Sequence, residues 1–244
     1  MKIVLIGDTL FDKNDITIDS RIVEECRHAD LVLLNLEGPI TNSPPQKKEG
    51  RAIATIPQNI FLLEKLNVSV AILGNNHIMD HGEQGLRDTL EILGEKGIKY
   101  VGAGCPDNEC SPLTVIEFNR VAIFSYTHNE GPMYSETSCG PVGLPRLDVI
   151  VKQIIEYKKN GYKIIFNYHG GEEFFSVPWP RRRGFLRRIS HAGADIIFAH
   201  HSHSIQPIEI NDGKIIIYSP GNFYMDTPYQ RNHTGTEEGF ITVI

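Results

Sequence analysis

Short apolar runs rich in β-branched residues alternate with amphipathic stretches through the first two-thirds of this chain. Few architectures other than a layered α/β fold accept that alternation. Ile3–Ile6, Leu31–Leu34, Val68–Leu73, Lys99–Val101, Leu113–Phe118, Val121–Tyr126, Lys163–Tyr168 and Asp195–Ala199 read as strands. Asp19–His28 reads as a helix, with Ile22, Val23 and Cys26 on one face. Pro57–Leu66, Glu83–Lys96, Leu144–Lys159 and Arg181–Ala192 read the same way. Ile205–Ile210, Lys214–Tyr218 and Phe240–Ile244 add strands at the end, with Asp212-Gly213 and Asn119-Arg120 as tight turns. A βαβ-type start followed by antiparallel strands predicts a layered α/β sandwich rather than a doubly wound sheet. Two stretches, Pro39–Ile56 and Thr127–Gly143, lack a regular pattern and are long for connections, which makes them candidate lids or binding loops.

No repeat or linker divides the 244 residues, so one domain over 1–244 is expected. A composition 41% hydrophobic and 22% charged excludes disordered, collagenous and coiled-coil classes. The net charge of −6 disfavours non-specific nucleic-acid binding. No apolar run reaches the length of a signal peptide or a membrane span, so a cytoplasmic chain without membrane insertion is expected. Cys26, Cys105, Cys110 and Cys139 show no CxxC spacing and read as reduced thiols.

The polar residues fall at particular places. Strand-like runs end at Gly7-Asp8, Asn35-Leu36-Glu37-Gly38, Gly74-Asn75-Asn76-His77, His169-Gly170-Gly171 and His200-His201-Ser202-His203. In open α/β sheets, ligands bind beyond the carboxyl ends of strands. Asp8, Glu37, Asn76, His169, His201 and His203 are therefore candidate metal ligands. Mixed nitrogen and oxygen donors without thiolate suit one or two Mn, Fe or Zn ions better than calcium. Each residue also has an ordinary reading. Asp8 can cap a turn, Glu37 can be a solvated turn residue, the two asparagines can be left-handed turn residues, and His169 can be a core histidine. The coincidence of five strand ends favours a single cluster.

The stretches GDTLF (7–11), ADLVLLNLEGPIT (29–41), LGNNHIMDHGEQGLRDTLEIL (73–93), GIKYVGAG (97–104), YHGGEEF (168–174), HAGADIIFAHHSHSIQPIE (191–209) and IYSPGNF (217–223) resemble the CapA family of poly-γ-glutamate capsule synthesis proteins. That family looks like a branch of the calcineurin-like metallophosphoesterases. The resemblance implies an α/β fold, a four-layer α-β-β-α sandwich with mixed sheets, and a metal centre at strand ends. It implies Asp8 as the first-motif aspartate, Glu37 in place of the bridging aspartate and Asn76-His77 as the Asn-His motif. His169 matches the lone histidine motif, and His201 and His203 match the terminal pair. Three positions depart from the superfamily pattern: Leu10 stands where a first-motif histidine is usual, Glu37 replaces Asp, and Ala199 replaces Gly.

His77 is a candidate general acid oriented by Asp80, although Asp80 equally suits a helix cap. Glu173 is a candidate base or a solvated loop carboxylate. Asn75, Asn222 and Arg183 are candidate substrate-binding residues. Arg183 belongs to the run Arg181, Arg182, Arg183, Arg187 and Arg188, which forms either a solvated helix face or a receptor for an anion. Trp179 packs either a lid or the core. Neither a GxxxxGK[ST] loop nor a GxSxG elbow occurs. Three functions follow: a metal-dependent hydrolase acting on a phosphoester or glutamyl polymer, a metal-dependent peptide epimerase, or a non-catalytic accessory protein. The expected substrate is anionic or peptide-like, and polymer-synthesis proteins are the expected partners.

Overall fold

A computed structural model describes residues 1–47, 50–106, 115–128 and 131–244. Its elements run β1 (Ile3–Thr9), α1 (Ser20–Arg27), β2 (Leu31–Leu36), α2 (Ile60–Lys65), β3 (Val70–Ile72), α3 (Gly82–Glu95), β4 (Lys99–Val101) and β5 (Ala103–Gly104). They continue with β6 (Val115–Phe118), β7 (Val121–Thr127), β8 (Gly140–Pro141), α4 (Leu147–Lys159), β9 (Lys163–His169), α5 (Pro180–Ala192) and β10 (Ile196–His200). The last are β11 (Ile208–Asn211), β12 (Lys214–Ile217), β13 (Asn222–Tyr224), α6 (Pro228–Arg231) and β14 (Thr242–Val243).

Two six-stranded sheets carry the fold. The first has the order β13-β1-β2-β3-β4, with β14 also paired to β1; the second runs β11-β12-β10-β9-β7-β6. Both mix parallel and antiparallel pairs. Strand alternation explains how they stack. In β1, Ile3 and Leu5 face one way and Val4 and Ile6 the other. Ile3, Leu5, Leu31 and Leu33 meet Val121, Ile123, Ile165 and Phe198 in a core between the sheets. Val4, Ile6, Val32 and Leu34 pack outward on Val23, Leu62, Leu86 and Leu90 of α1–α3. Phe124, Phe166 and Ile197 pack outward on Ile150, Ile154, Leu186 and Ile189 of α4 and α5. Three apolar layers thus separate four layers of structure, the expected α-β-β-α sandwich. Burying each such side chain contributes about 1.5–3 kcal/mol relative to leaving it exposed.

Local chemistry sets the ends of elements. The Asp19 carboxylate accepts the Arg21 N–H and caps α1. The Asp212-Gly213 turn joins Asn211 to Lys214, both turn residues having positive φ, as a two-residue hairpin requires. Asn119 and Arg120 do the same between Phe118 and Val121. α4 starts at Leu147, later than expected, because Pro145 disfavours helical geometry at Leu144. The expected strand at Ile205 begins at Ile208, and residues 113–114 of the expected Leu113–Phe118 strand lie outside the described residues.

The cysteines require a correction. Cys105 and Cys139 form a disulfide, whereas Cys26 is free and buried. Cys110 lies outside the described residues. The cause is register: β5 and β8 pair Ala103 with Pro141 and Gly104 with Gly140, so the next rung sets residue 105 opposite 139. Among the described residues, no helix is long and apolar enough to cross a membrane.

Candidate metal centre

Parallel register brings the polar strand ends together. Asp8 on β1 stands beside Asn35 on β2 and Asn222 on β13. His169 on β9 stands beside His200 on β10. The two sheets meet at these ends, where the His201 backbone N–H donates to Asp8 Oδ2 at 3.2 Å.

Asp8 and Glu37 are fully buried, and His169, His201 and His203 nearly so. Donor atoms of Asp8, Glu37 and His169 lie within 4.8 Å of one another, as do those of Glu173, His201 and His203. His201 Nδ1 is 3.2 Å from His169 Nε2, which is 2.9 Å from Asn76 Oδ1. His203 Nδ1 lies 3.4 Å from Asp8 Oδ2, and its Nε2 lies 3.5 Å from Glu37 Oε1. The six candidate ligands therefore form one cluster. Oxygen donors come from the first sheet and imidazoles from the second.

Electrostatics suit the cluster to a cation. Burial alone would raise the Asp8 pKa, but the hydrogen bond and charge of His200, with His203 and His169 beyond, hold it well below the usual carboxylate range. Burial pushes His169 well below its ordinary value, and the neighbouring His201 adds to the effect. Burial and the charge of His203 bring His201 down to about 3, although Asp8 opposes them. Neutral His169 and His201 beside an ionised Asp8, out of water and a few ångströms apart, are protonation states that a divalent transition ion needs. The residues present fit such an ion.

Hydrogen bonds around the cluster hold it in place. Asn35 Nδ2 donates to Asp8 Oδ1 at 2.8 Å. Asn222 Oδ1 meets His203 Nδ1 at 2.9 Å while its Nδ2 donates to the Thr236 carbonyl. Asn222 thus aims an imidazole, a task distinct from the substrate contact expected of it. Asn75 is likewise occupied as a brace: its Oδ1 accepts the Gly38 and His77 N–H groups, and its Nδ2 donates to Leu36 O. Asp80 does not cap α3. Its Oδ2 meets His77 Nδ1 at 2.7 Å and accepts the Ile53 N–H at 2.9 Å, tying the 39–56 stretch to the site.

A cavity of about 320 Å³ opens over the cluster, lined by Arg51, Ile53, Asn76, His77, Glu173, His203, Met225 and Tyr229, among others. Leu10 is fully buried with Ile53 and Met225, so an apolar plug occupies the place where the superfamily pattern has an imidazole. Phe174, with φ 64°, stacks on His233 at 3.7 Å and on His203 at 6.0 Å. Arg183 does not join this cavity. It lies 3.6 Å from Glu209, which also takes Arg187 at 2.9 Å. Helical spacing turns Arg183 and Arg187 together toward β11. Sequence reasoning missed Asn35, Arg51 and Phe174 and did not count His200, whose Nδ1 lies 3.1 Å from Asp8 Oδ1. Asn35 carried a signal, a lone amide in an otherwise apolar strand; Arg51 and Phe174 carried none.

Two facing mixed sheets with a buried carboxylate–imidazole cluster at their strand ends define a layered α/β protein with a metal-type ligand set. The chain belongs to the bacterial capsule synthesis protein family PGA_cap, whose family model matches residues 2–227. The chain is 33% identical over 211 residues to the PGA biosynthesis protein CapA of Bacillus subtilis (strain 168), covering 84% of this chain and 56% of that protein. It is 30% identical over 217 residues to the capsule biosynthesis protein CapA of Bacillus anthracis, covering 84% and 53%. A probable polyglutamine synthesis accessory protein of Mycobacterium tuberculosis (strain H37Rv) is 28% identical over 220 residues, with coverage of 81% and 56%. The chain spans about half the length of these relatives. Among solved structures, that of TT1561 of Thermus thermophilus is similar with a TM-score of 0.46 and 12% identity, covering 91% of this chain and 89% of that one.

Proposed function

We propose that this chain is a divalent-metal-dependent hydrolase of capsule or poly-γ-glutamate biosynthesis, acting on a phosphoester or a glutamyl bond. The observation that carries this reading is the convergence of buried Asp8, Glu37, His169, His201 and His203 with half-buried Asn76. These residues would hold one or two Mn, Fe or Zn ions. When bound, such ions act as Lewis acids and lower the pKa of water. The rest falls to the chain's own groups. Asp80 fixes the His77 ring through Nδ1, leaving Nε2 on the side of Glu37, at 3.9 Å, to hold a proton for the leaving atom. Glu173, 3.8 Å from His201 Nε2, is placed to take a proton at the cavity wall. Arg51 supplies a cation for an anionic substrate. Phe174, Tyr229 and His233 pack their rings together beside the cavity and would form one wall for a substrate.

The test is metal analysis of the purified chain, followed by a panel of phosphomonoesters, phosphodiesters and γ-glutamyl oligomers with added Mn²⁺. Cleavage that disappears with chelator and in His201→Ala is the expected result. A chain that binds no transition ion would sink the reading. A second reading, a non-catalytic accessory of polymer synthesis, is favoured by the buried Leu10 plug and by the name of the mycobacterial relative. It predicts that His169→Ala and His201→Ala retain full function in polymer-producing cells. The Cys105–Cys139 disulfide favours work in an oxidising compartment over the cytoplasm expected from sequence.

A further inference from the structure

A second cavity lies beside the one over the cluster. It measures about 570 Å³ and lies between the end of β9 and the start of α5. Its cations are Arg181, Arg182 and Arg188, and Trp179 forms part of its wall. The arginine run of α5 divides by helical spacing. Arg183 and Arg187 share Glu209. Arg182 is buried and donates to Gln206 Oε1 and to the His200 and Tyr218 carbonyls, so it holds the strand ends together. Arg181 and Arg188, seven positions apart and therefore on one face, are exposed and make no ion pair among the described residues.

Three features mark this cavity as built for an anion. Arginines in the first turn oppose the helix dipole, and α5 has no acidic residue there to compensate. Arg182 lines the cavity beside them and is buried, its Nε without a hydrogen-bond partner. Gly171, with φ 118°, leaves room for this side chain, since a Cβ there would lie 2.7 Å from Arg182 Cδ. The one carboxylate in the lining, Glu172, is set against Arg182, which leaves Arg181 and Arg188 as net charge in a chain of −6.

The cavity also adjoins the chemistry. Glu172 lines it and the next residue, Glu173, lines the cavity over the metal ligands. Consecutive Cα atoms are about 3.8 Å apart, so adjacent residues of one loop line the two chambers. Arg181 and Arg188 stand about 10 Å apart along the helix axis. Trp179, 52% exposed and edge-on to Phe175, offers an apolar surface to methylene groups between charges.

We propose that this cavity is a subsite for a polycarboxylate chain, which Arg181 and Arg188 grip while an adjacent unit of the same chain lies over the metal cluster. The proposal rests on the glutamyl-polymer reading above and names where that polymer is held. The test is fluorescence anisotropy of a dye-labelled γ-glutamyl oligomer on the whole chain in chelator, where no metal chemistry contributes. The double variant Arg181→Ala/Arg188→Ala weakens binding roughly tenfold or more through loss of two charge-assisted contacts. The pair Arg183→Ala/Arg187→Ala stays near wild type, and Trp179→Ala gives a smaller loss in the same direction. Equal binding by wild type and Arg181→Ala/Arg188→Ala overturns the proposal. So does an equal loss in Arg183→Ala/Arg187→Ala, or polyphosphate binding at least as tightly as the oligomer. An oligomer that binds through these arginines but is never cleaved retires the hydrolase reading and leaves the subsite standing. Cleavage indifferent to both arginines does the reverse.

Discussion

The two sheets contribute to the candidate centre in different currencies. The first sheet presents oxygen from Asp8, Glu37 and Asn76 on strand ends braced by Asn35 and Asn75. The second presents nitrogen from His169 at the end of β9 and from His201 and His203 on backbone under tension. His201 and His203 have φ of 94° and 54°, and neighbouring Phe174 has 64°. Non-glycine residues in that region cost about 1–3 kcal/mol each. The oxygen half is held by side-chain amides that satisfy its carboxylate. The nitrogen half is held largely by what it touches in the first sheet, with Asp8 at the centre.

That difference predicts where damage is worst. Asp8→Ala removes the acceptor of Asn35 and of the His201 N–H and the counter-charge near His200 and His203. Metal uptake should vanish and the metal-free chain should lose about 3–5 kcal/mol, read from metal stoichiometry and urea melts. A near-neutral urea midpoint would show that the imidazole side holds itself. Removing the disulfide with Cys105→Ala/Cys139→Ala should cost about 2–4 kcal/mol, because it closes a 34-residue separation, and should leave metal stoichiometry unchanged. A change in stoichiometry would tie that bridge to the site. Asn222→Ala should lower metal affinity about 10–100-fold at unchanged stoichiometry, since the aim of His203 is lost together with the tie to Thr236 while every ligand remains. Isothermal titration would expose an unchanged affinity.

Acid should act on the nitrogen half first. His169 and His201 are neutral when folded, His201 with a pKa of about 3, whereas an unfolded histidine titrates near 6.5. The unfolded chain therefore binds more protons below that value. Stability of the metal-free chain is full above about pH 6.5 and falls as pH drops, by up to about 1.4 kcal/mol per unit for each ring. Asp8, also depressed, adds loss in the same direction only below its ordinary carboxylate range. Urea midpoints at mildly acidic and neutral pH measure the slope; a flat profile would mean that the rings are hydrated.

Much of this was legible in the chain because strand ends are punctuated by polar residues. Asp8, Asn76 and His169 each follow an apolar run, and parallel register then aligns such ends without further information. What stayed hidden depends on pairing across distance. The brace that Asn222 gives His203 was hidden because β13 has three residues and pairs with β1 from a distant part of the chain. The 105–139 bridge needed the register of two short strands. Arg183 was indistinguishable from Arg181 until Glu209 on β11 showed which side of α5 it faces.

The inter-sheet layer of Ile3, Leu5, Ile165 and Phe198 now takes on a second meaning. Each donor type sits on its own leaf of the sandwich, so an ion between them would act as a clasp, and its affinity would be linked to how firmly the leaves close. A substitution deep in that layer, remote from every ligand, would loosen the clasp without touching it.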